Sequence, residues 1–149
     1  MIHIAVQAAD FSVQQEYDRI CSDNSADGAV VFFVGRVRDL NAGEAVYAMT
    51  LEHYPGMTEQ SLLAIVSEAQ ARWPLSRVRV IHRVGQLAPA DQIVFVATAS
   101  PHREAAFAGA QFIMDWLKTR APIWKKETTE RGEHWLQAKT SDADKAEQW

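Results

Sequence analysis

Apolar positions fall into short runs and helical stripes that alternate along the chain. Ile2 to Gln7 reads as a strand. Ser12 opens a helix: Gln15 three residues on completes a capping-box pattern, and Val13, Tyr17, Ile20 and Cys21 share one face. Gly28 to Arg38 is a strongly apolar strand that turns polar at its end. Asn41-Ala42-Gly43 makes a turn, and Ala45 to His53 returns as a strand. Pro55 to Arg72 reads as a helix with Leu62, Ile65, Val66 and Ala69 facing inward, closed by Pro74. Val78 to Val84 and Gln92 to Ala99 are strands around a turn region from Gly85 to Asp91. Ser100-Pro101 reads as a cap followed by proline at the first helical position. That helix runs to about Thr119, and Pro122 prevents its continuation. Glu133 to Ala138 is expected as a last short strand, and the polar tail from Thr140 is expected to fray.

This order, β-α-β-β-α-β-β-α-β, predicts an α+β fold with helices on one side of a mixed sheet. The length of 149 residues suits one domain over 1–149 with a core that needs no staples. One cysteine, Cys21, allows no intrachain disulfide. The longest apolar run, Ala29 to Val34, is too short to span a membrane, and the start lacks a secretory signal. A cytoplasmic location is the expectation.

Charge changes the picture locally. The formal net charge is −4, which speaks against a nucleic-acid binder. Yet Lys118, Arg120, Lys125, Lys126 and Arg131 stand against only Glu127 and Glu130 between Lys118 and Arg131. A basic segment on an acidic protein suits a small anion better than a polyanion. The seven glycines are scattered, which excludes the dinucleotide fingerprint and the P-loop. His3, His53, His82, His102 and His134 show no metal-ligand spacing, so no metal and no cofactor are expected.

Three clusters could carry chemistry. His102 and Arg103 stand at a helix start, where unpaired N–H groups and an arginine would suit an anion; two solvated side chains fit as well. Arg36 and Arg38 alternate along a strand end and share a face; an exposed strand end with two solvated charges is the simpler account. Lys118, Lys125 and Lys126 either form a solvated face or converge on a pocket, where repulsion and burial would lower a lysine pKa. Glu104, Gln111, Asp115 and Lys118 read as the polar stripe of their helix, and Trp124 as a residue that lines any pocket the lysines surround.

Four stretches then tie the chain to a family. Val31-Phe-Phe-Val-Gly-Arg-Val-Arg38, Leu51-Glu-His-Tyr-Pro-Gly-Met-Thr58, Val80-Ile-His-Arg-Val-Gly85 and Phe112-Ile-Met-Asp-Trp-Leu-Lys-Thr-Arg-Ala-Pro-Ile-Trp-Lys-Lys126 resemble the large, catalytic subunits of molybdopterin synthase, the MoaE family. The resemblance covers nearly the whole chain. It implies an α/β-hammerhead-like mixed sheet with packed helices plus a small α+β subdomain. It implies a sulfurtransferase that inserts two sulfurs into cyclic pyranopterin monophosphate on the way to molybdenum cofactor. The sulfur would arrive as the C-terminal Gly-Gly thiocarboxylate of a small ubiquitin-like partner. The assembly would be a heterotetramer built on a central homodimer of large subunits, with no nucleic acid or membrane involved.

Carried over residue by residue, the resemblance puts the catalytic lysines at Lys118 and Lys125. Substrate binding falls on Arg36, Val37, Arg38, His102, Arg103, Lys118, Lys125, Lys126 and Glu127. Part of the pocket would come from the second large subunit. Lys139 stands where some relatives carry arginine; the charge survives without bidentate recognition, so Lys139 stays outside the expected site. The residues also allow a non-catalytic phosphate-binding module, or a structural subunit whose basic segment docks an acidic partner.

Overall fold

The computed structural model describes residues 1–137 and 139–149. Its elements are β1 (Ile2–Gln7), α1 (Val13–Cys21), β2 (Ala29–Arg36), β3 (Leu40–Asn41), β4 (Glu44–Ala45), β5 (Ala48–His53) and α2 (Met57–Arg72). They continue with β6 (Arg77–Arg83), β7 (Gly85–Leu87), β8 (Gln92–Ser100), α3 (Arg103–Arg120), β9 (Ile123–Thr129), β10 (Gly132–Trp135) and α4 (Thr140–Glu147). The fold is α+β. Two four-stranded sheets run β1-β6-β8-β2 and β10-β9-β5-β7, and β3 and β4 form a separate hairpin on the expected Ala42-Gly43 turn.

In the first sheet only β1 and β6 pair in parallel. Its central strands, β6 and β8, are buried along most of their length, and β8 is apolar on both faces. Val78, Val80, Val94 and Val96 join Leu62, Ile65 and Val66 of α2 and Phe112, Ile113 and Leu117 of α3 in the main core. Ile81, Phe95, Ala97 and Ala99 form a second cluster with Phe11 and Ile20. Successive strand side chains point to opposite faces, so α1 covers the face that α2 and α3 leave bare. The expectation of helices on one side is therefore corrected: a strand apolar on both faces needs cover on both. Arg79 is buried on the α1 side, where Glu16 Oε2 accepts from its Nε at 2.8 Å.

Local chemistry sets the helix starts. Ser12 caps α1 by accepting from the Gln15 N–H at 3.3 Å, one half of the anticipated box. At α2 the cap is Gly56, whose N–H donates to Glu59 Oε2 at 2.8 Å. At α3 the expected Ser100 cap is displaced. Ser100 is still paired with Ala29 as the last residue of β8, so His102 becomes the cap residue.

The end of the chain departs most from expectation. β9 has no counterpart among the expected elements; its polar sequence is held by backbone pairing with β5 and β10 on either side. β10 is Gly132–Trp135, in place of the expected strand from Glu133 to Ala138; Ala138 lies outside the described residues. The tail does not fray. α4 packs on α3, and Trp149 docks beside Trp73 and Phe112 with ring centroids 5.4 and 5.8 Å away. Asp115 is the acceptor that fixes it. This side chain is buried, against the expectation of an exposed stripe, and takes bonds from Gln111, Gln148 and Trp149. Among the described residues no helix is long and apolar enough to cross a membrane.

Candidate active site

Two cavities of about 430 and 370 Å³ open where the two sheets meet the C-terminal end of α3. His82, Leu117, Lys118, Lys125, Leu136 and Lys139 line both, so they form a shared wall. Lys118 stands in the last turn of α3 and Lys125 on β9. The turn between them is pinned from α2, because Thr58 Oγ1 donates to the Pro122 carbonyl at 3.0 Å. Pro122 thus ends the helix and returns the chain so that the second lysine comes back toward the first.

Burial, then the neighbouring Lys118 cation, pulls Lys125 from its ordinary 10.5 down to about 7; Asp142 pulls the other way. A lysine near 7 is divided between amine and ammonium at neutral pH, and the amine is both nucleophile and base.

The first cavity adds a second cationic group. Arg36 and Arg38, for which two solvated charges at an exposed strand end are the simpler sequence account, both line it. Arg36 closes β2 at an irregularity in the pairing with β8, and its Nε donates to the Ala90 carbonyl at 3.2 Å. Gly35 keeps this wall flat: a Cβ there would meet Val94 Cγ1 at 2.7 Å. Glu127 also lines the cavity; it is buried, and its Oε1 accepts from Asn41 Nδ2 at 2.7 Å.

The other expected site residues are placed elsewhere. Val37 lies between the arginines, but its side chain is buried in the main core. Lys126 alternates away from Lys125 along β9; its Nζ lies 3.4 Å from Glu133 and over the Trp135 ring. His102 and Arg103 are exposed beyond Ser100, whereas the cavity meets β8 at Ile93 and Val94. Six residues of strand, roughly 20 Å, separate Val94 from Ser100. One chain does not bring this pair to its own lysines.

Three residues join from outside the expected site: Lys139, which the sequence reading weighs and sets aside, Asn41 and His82. Lys139 lines both cavities. Asn41 orients Glu127. His82, inside one of the quoted stretches, lies in the shared wall; a lone histidine on an apolar strand carries no signal of its own. Trp124 lines the second cavity, as expected. Among the described residues no group of three or more His, Cys, Asp or Glu side chains could hold a metal ion.

Fold and site define an α+β protein whose paired lysines stand in a cationic pocket. Residues 6–120 match the family model described as MoaE protein, and the chain belongs to the MoaE family. Over 146 residues it is 56% identical to the molybdopterin synthase catalytic subunit of Vibrio cholerae, covering 98% of this chain and 97% of that one. The molybdopterin biosynthesis MoaE protein from Burkholderia ambifaria superposes with a TM-score of 0.84 at 51% identity, over 99% of this chain and 98% of that one. The fold recurs at 16% identity in the protein-protein complex of subunits 1 and 2 of molybdopterin-converting factor from Helicobacter pylori, with a TM-score of 0.72. That match covers 91% of this chain and 90% of that one.

Proposed function

We propose that this chain transfers sulfur to cyclic pyranopterin monophosphate from the C-terminal thiocarboxylate of a small ubiquitin-like partner. The observation that carries the reading is the shared wall: Lys118 and Lys125 stand where two cavities meet. The first cavity, with Arg36 and Arg38, suits the substrate's cyclic phosphate through charge-assisted hydrogen bonds. The second, lined by Ile123, Trp124 and Gln137, suits the partner's narrow glycine tail. The Helicobacter pylori protein that shares the fold is a complex of two subunits, which supports a second subunit here.

The chemistry brings one anion against another, and the cations offset that repulsion. The thiocarboxylate sulfur attacks a side-chain carbon of the pterin and replaces an oxygen there; the carbon–oxygen bond breaks, the oxygen takes up a proton and leaves as water, and the sulfur is left bonded to both substrate and partner acyl group. Water then attacks the acyl carbon; the carbon–sulfur bond breaks, the partner leaves as a carboxylate, and the sulfur stays on the substrate. Lys125, near 7, is suited to receive and return the proton, and Lys118 to stabilise developing negative charge. Of the two lysines, the lowered pKa suits Lys125 to the leading role in this reading.

His102 and Arg103 enter this reading through a second copy. At roughly 20 Å of strand from their own cavity they reach a substrate only if a homodimer brings them to the partner copy's pocket. The heterotetramer expected from the resemblance would supply such a dimer.

The test is a single turnover with thiocarboxylated small subunit and cyclic pyranopterin monophosphate. Wild type should form dithiolene; Lys118→Ala and Lys125→Ala should lose about 100-fold or more in rate with partner binding intact. A folded wild type that binds substrate without product would leave a phosphate-binding module instead.

A further inference from the structure

His82 is buried at the C-terminal end of β6, two residues before the chain leaves the first sheet and enters the second at Gly85. Gly85 pairs with Leu51, and Leu51 pairs with Lys125. The topology thus carries His82 to the lysine from the neighbouring sheet, and it lines both cavities.

The tautomer follows from its one hydrogen bond among the described residues. Nδ1 lies 2.8 Å from the Arg83 carbonyl oxygen. A carbonyl only accepts, so Nδ1 carries the proton and the neutral ring keeps a lone pair on Nε2. Burial above all, with the cations Lys125 and Lys118 and with His53 adding to it, pushes His82 down to about 4. At neutral pH the ring is uncharged. It is then an acceptor with no charge of its own, set into a wall crowded with amino groups. His82 lines both cavities, and the amino groups of their shared wall are the donors at hand for this nitrogen. Of these, Lys125 is the one on the second sheet, where Leu51 pairs both with it and with Gly85, three residues after His82.

We propose that His82 is a positioning residue for the lysine pair: its Nε2 accepts a hydrogen bond from the Lys125 amino group and aims that amine into the wall both cavities share. When Lys125 is the free amine, donating one N–H to His82 turns its lone pair toward the cavities. When it is the ammonium, the same bond steadies it without adding a cation. The inference rests on the reading that Lys125 takes part in proton transfer.

The test separates the two ring nitrogens. Glutamine places its side-chain oxygen near the position of Nε2; asparagine places its amide N–H near that of Nδ1 and restores the bond to Arg83. Lys125 titration is followed by NMR on lysine-labelled folded protein without substrate, and kcat and KM with partner and substrate. His82→Gln should hold the Lys125 titration within about 0.3 unit and kcat within about threefold. His82→Asn should lower that titration by about half a unit or more and kcat tenfold, with KM little changed. Asparagine behaving as wild type while glutamine fails would assign His82 to holding the Arg83 carbonyl and overturn the proposal. So would wild-type imidazole nitrogen shifts showing the proton on Nε2, a measurement that needs no variant. The titration and the nitrogen shifts stand apart from turnover, so an inactive wild type would strike the sulfur-transfer reading and leave this one decided by NMR.

Discussion

Lys118 and Lys125 are seven positions apart, on a helix and on a strand, and face one another across the turn at Pro122. The lowered Lys125 pKa depends partly on the Lys118 charge. Replacing Lys118 with methionine removes a repelling cation, favours the Lys125 ammonium and raises its pKa. The expected rise is about one unit or more above 7, read from the pH dependence of Lys125 acylation by a small acid anhydride. An unmoved profile would mean that burial alone holds Lys125 down.

The two lowered pKa values also predict the pH dependence of stability. Both groups are bases whose folded values lie below their unfolded ones. Between about 4 and 6.5 the unfolded chain binds a proton at His82 that the folded chain does not; between about 7 and 10.5 the same holds at Lys125. Stability therefore rises with pH through both windows, at up to about 1.4 kcal/mol per unit. Urea midpoints measured from pH 4 to 10 should show it. His82→Gln should flatten the lower window. Lys125→Met should flatten the upper one and make the protein more stable than wild type at pH 7.

Much of this site is legible in the sequence, for identifiable reasons. Lysines in an otherwise acidic protein stand out, and Pro122 between them signals a turn. β5 and β8 are apolar enough to read as strands from their side chains alone. β9 is not: its Trp-Lys-Lys-Glu run is a strand because β5 and β10 flank it, a relationship between distant segments. Asp115 reads as exposed because a carboxylate at helical spacing usually is. Its burial depends on donors from the last turn of the chain, which no local pattern shows. His102 and Arg103 are grouped with the lysines by resemblance, and the length of β8 keeps them apart within one copy.

Glu16 and Arg79 form an ion pair buried at both ends, 2.7 Å apart, beneath α1. Removing one partner leaves an uncompensated charge among apolar groups. Glu16→Ala should destabilise by about 3–5 kcal/mol. The more exposed pair Arg72–Glu68 should contribute under about 1 kcal/mol. Chemical denaturation of Glu16→Ala and Glu68→Ala at pH 7 makes the comparison; equal losses would refute the burial argument.

Trp149 should prove a structural residue despite ending the chain. It stacks edge-on against Trp73 and Phe112, its Nε1 donates to Asp115 at 2.6 Å, and Arg72 donates to its carbonyl. The side chain is only partly buried, so Trp149→Ala should cost about 2–3 kcal/mol, below the range for a fully enclosed tryptophan. A thermal melt with no change would return the tail to the frayed state the sequence suggests.

The distance between His102 and the lysines makes the last prediction one of complementation. Suppose each active pocket takes its lysines from one copy and His102 and Arg103 from the other. Then a His102→Ala, Arg103→Ala double variant and a Lys118→Ala variant are each inactive alone. Mixed, unfolded together and refolded, half of the dimers are hybrids. In a hybrid, one pocket collects both defects and the other collects none. Dithiolene formation should return to roughly a quarter of the wild-type level per subunit. If the two clusters serve one substrate within a single chain, no hybrid pocket is intact and mixing restores nothing. If the His102 and Arg103 variant is active on its own, that pair lies outside the chemistry altogether, and the cationic pocket at Lys118 and Lys125 works with Arg36 and Arg38 alone.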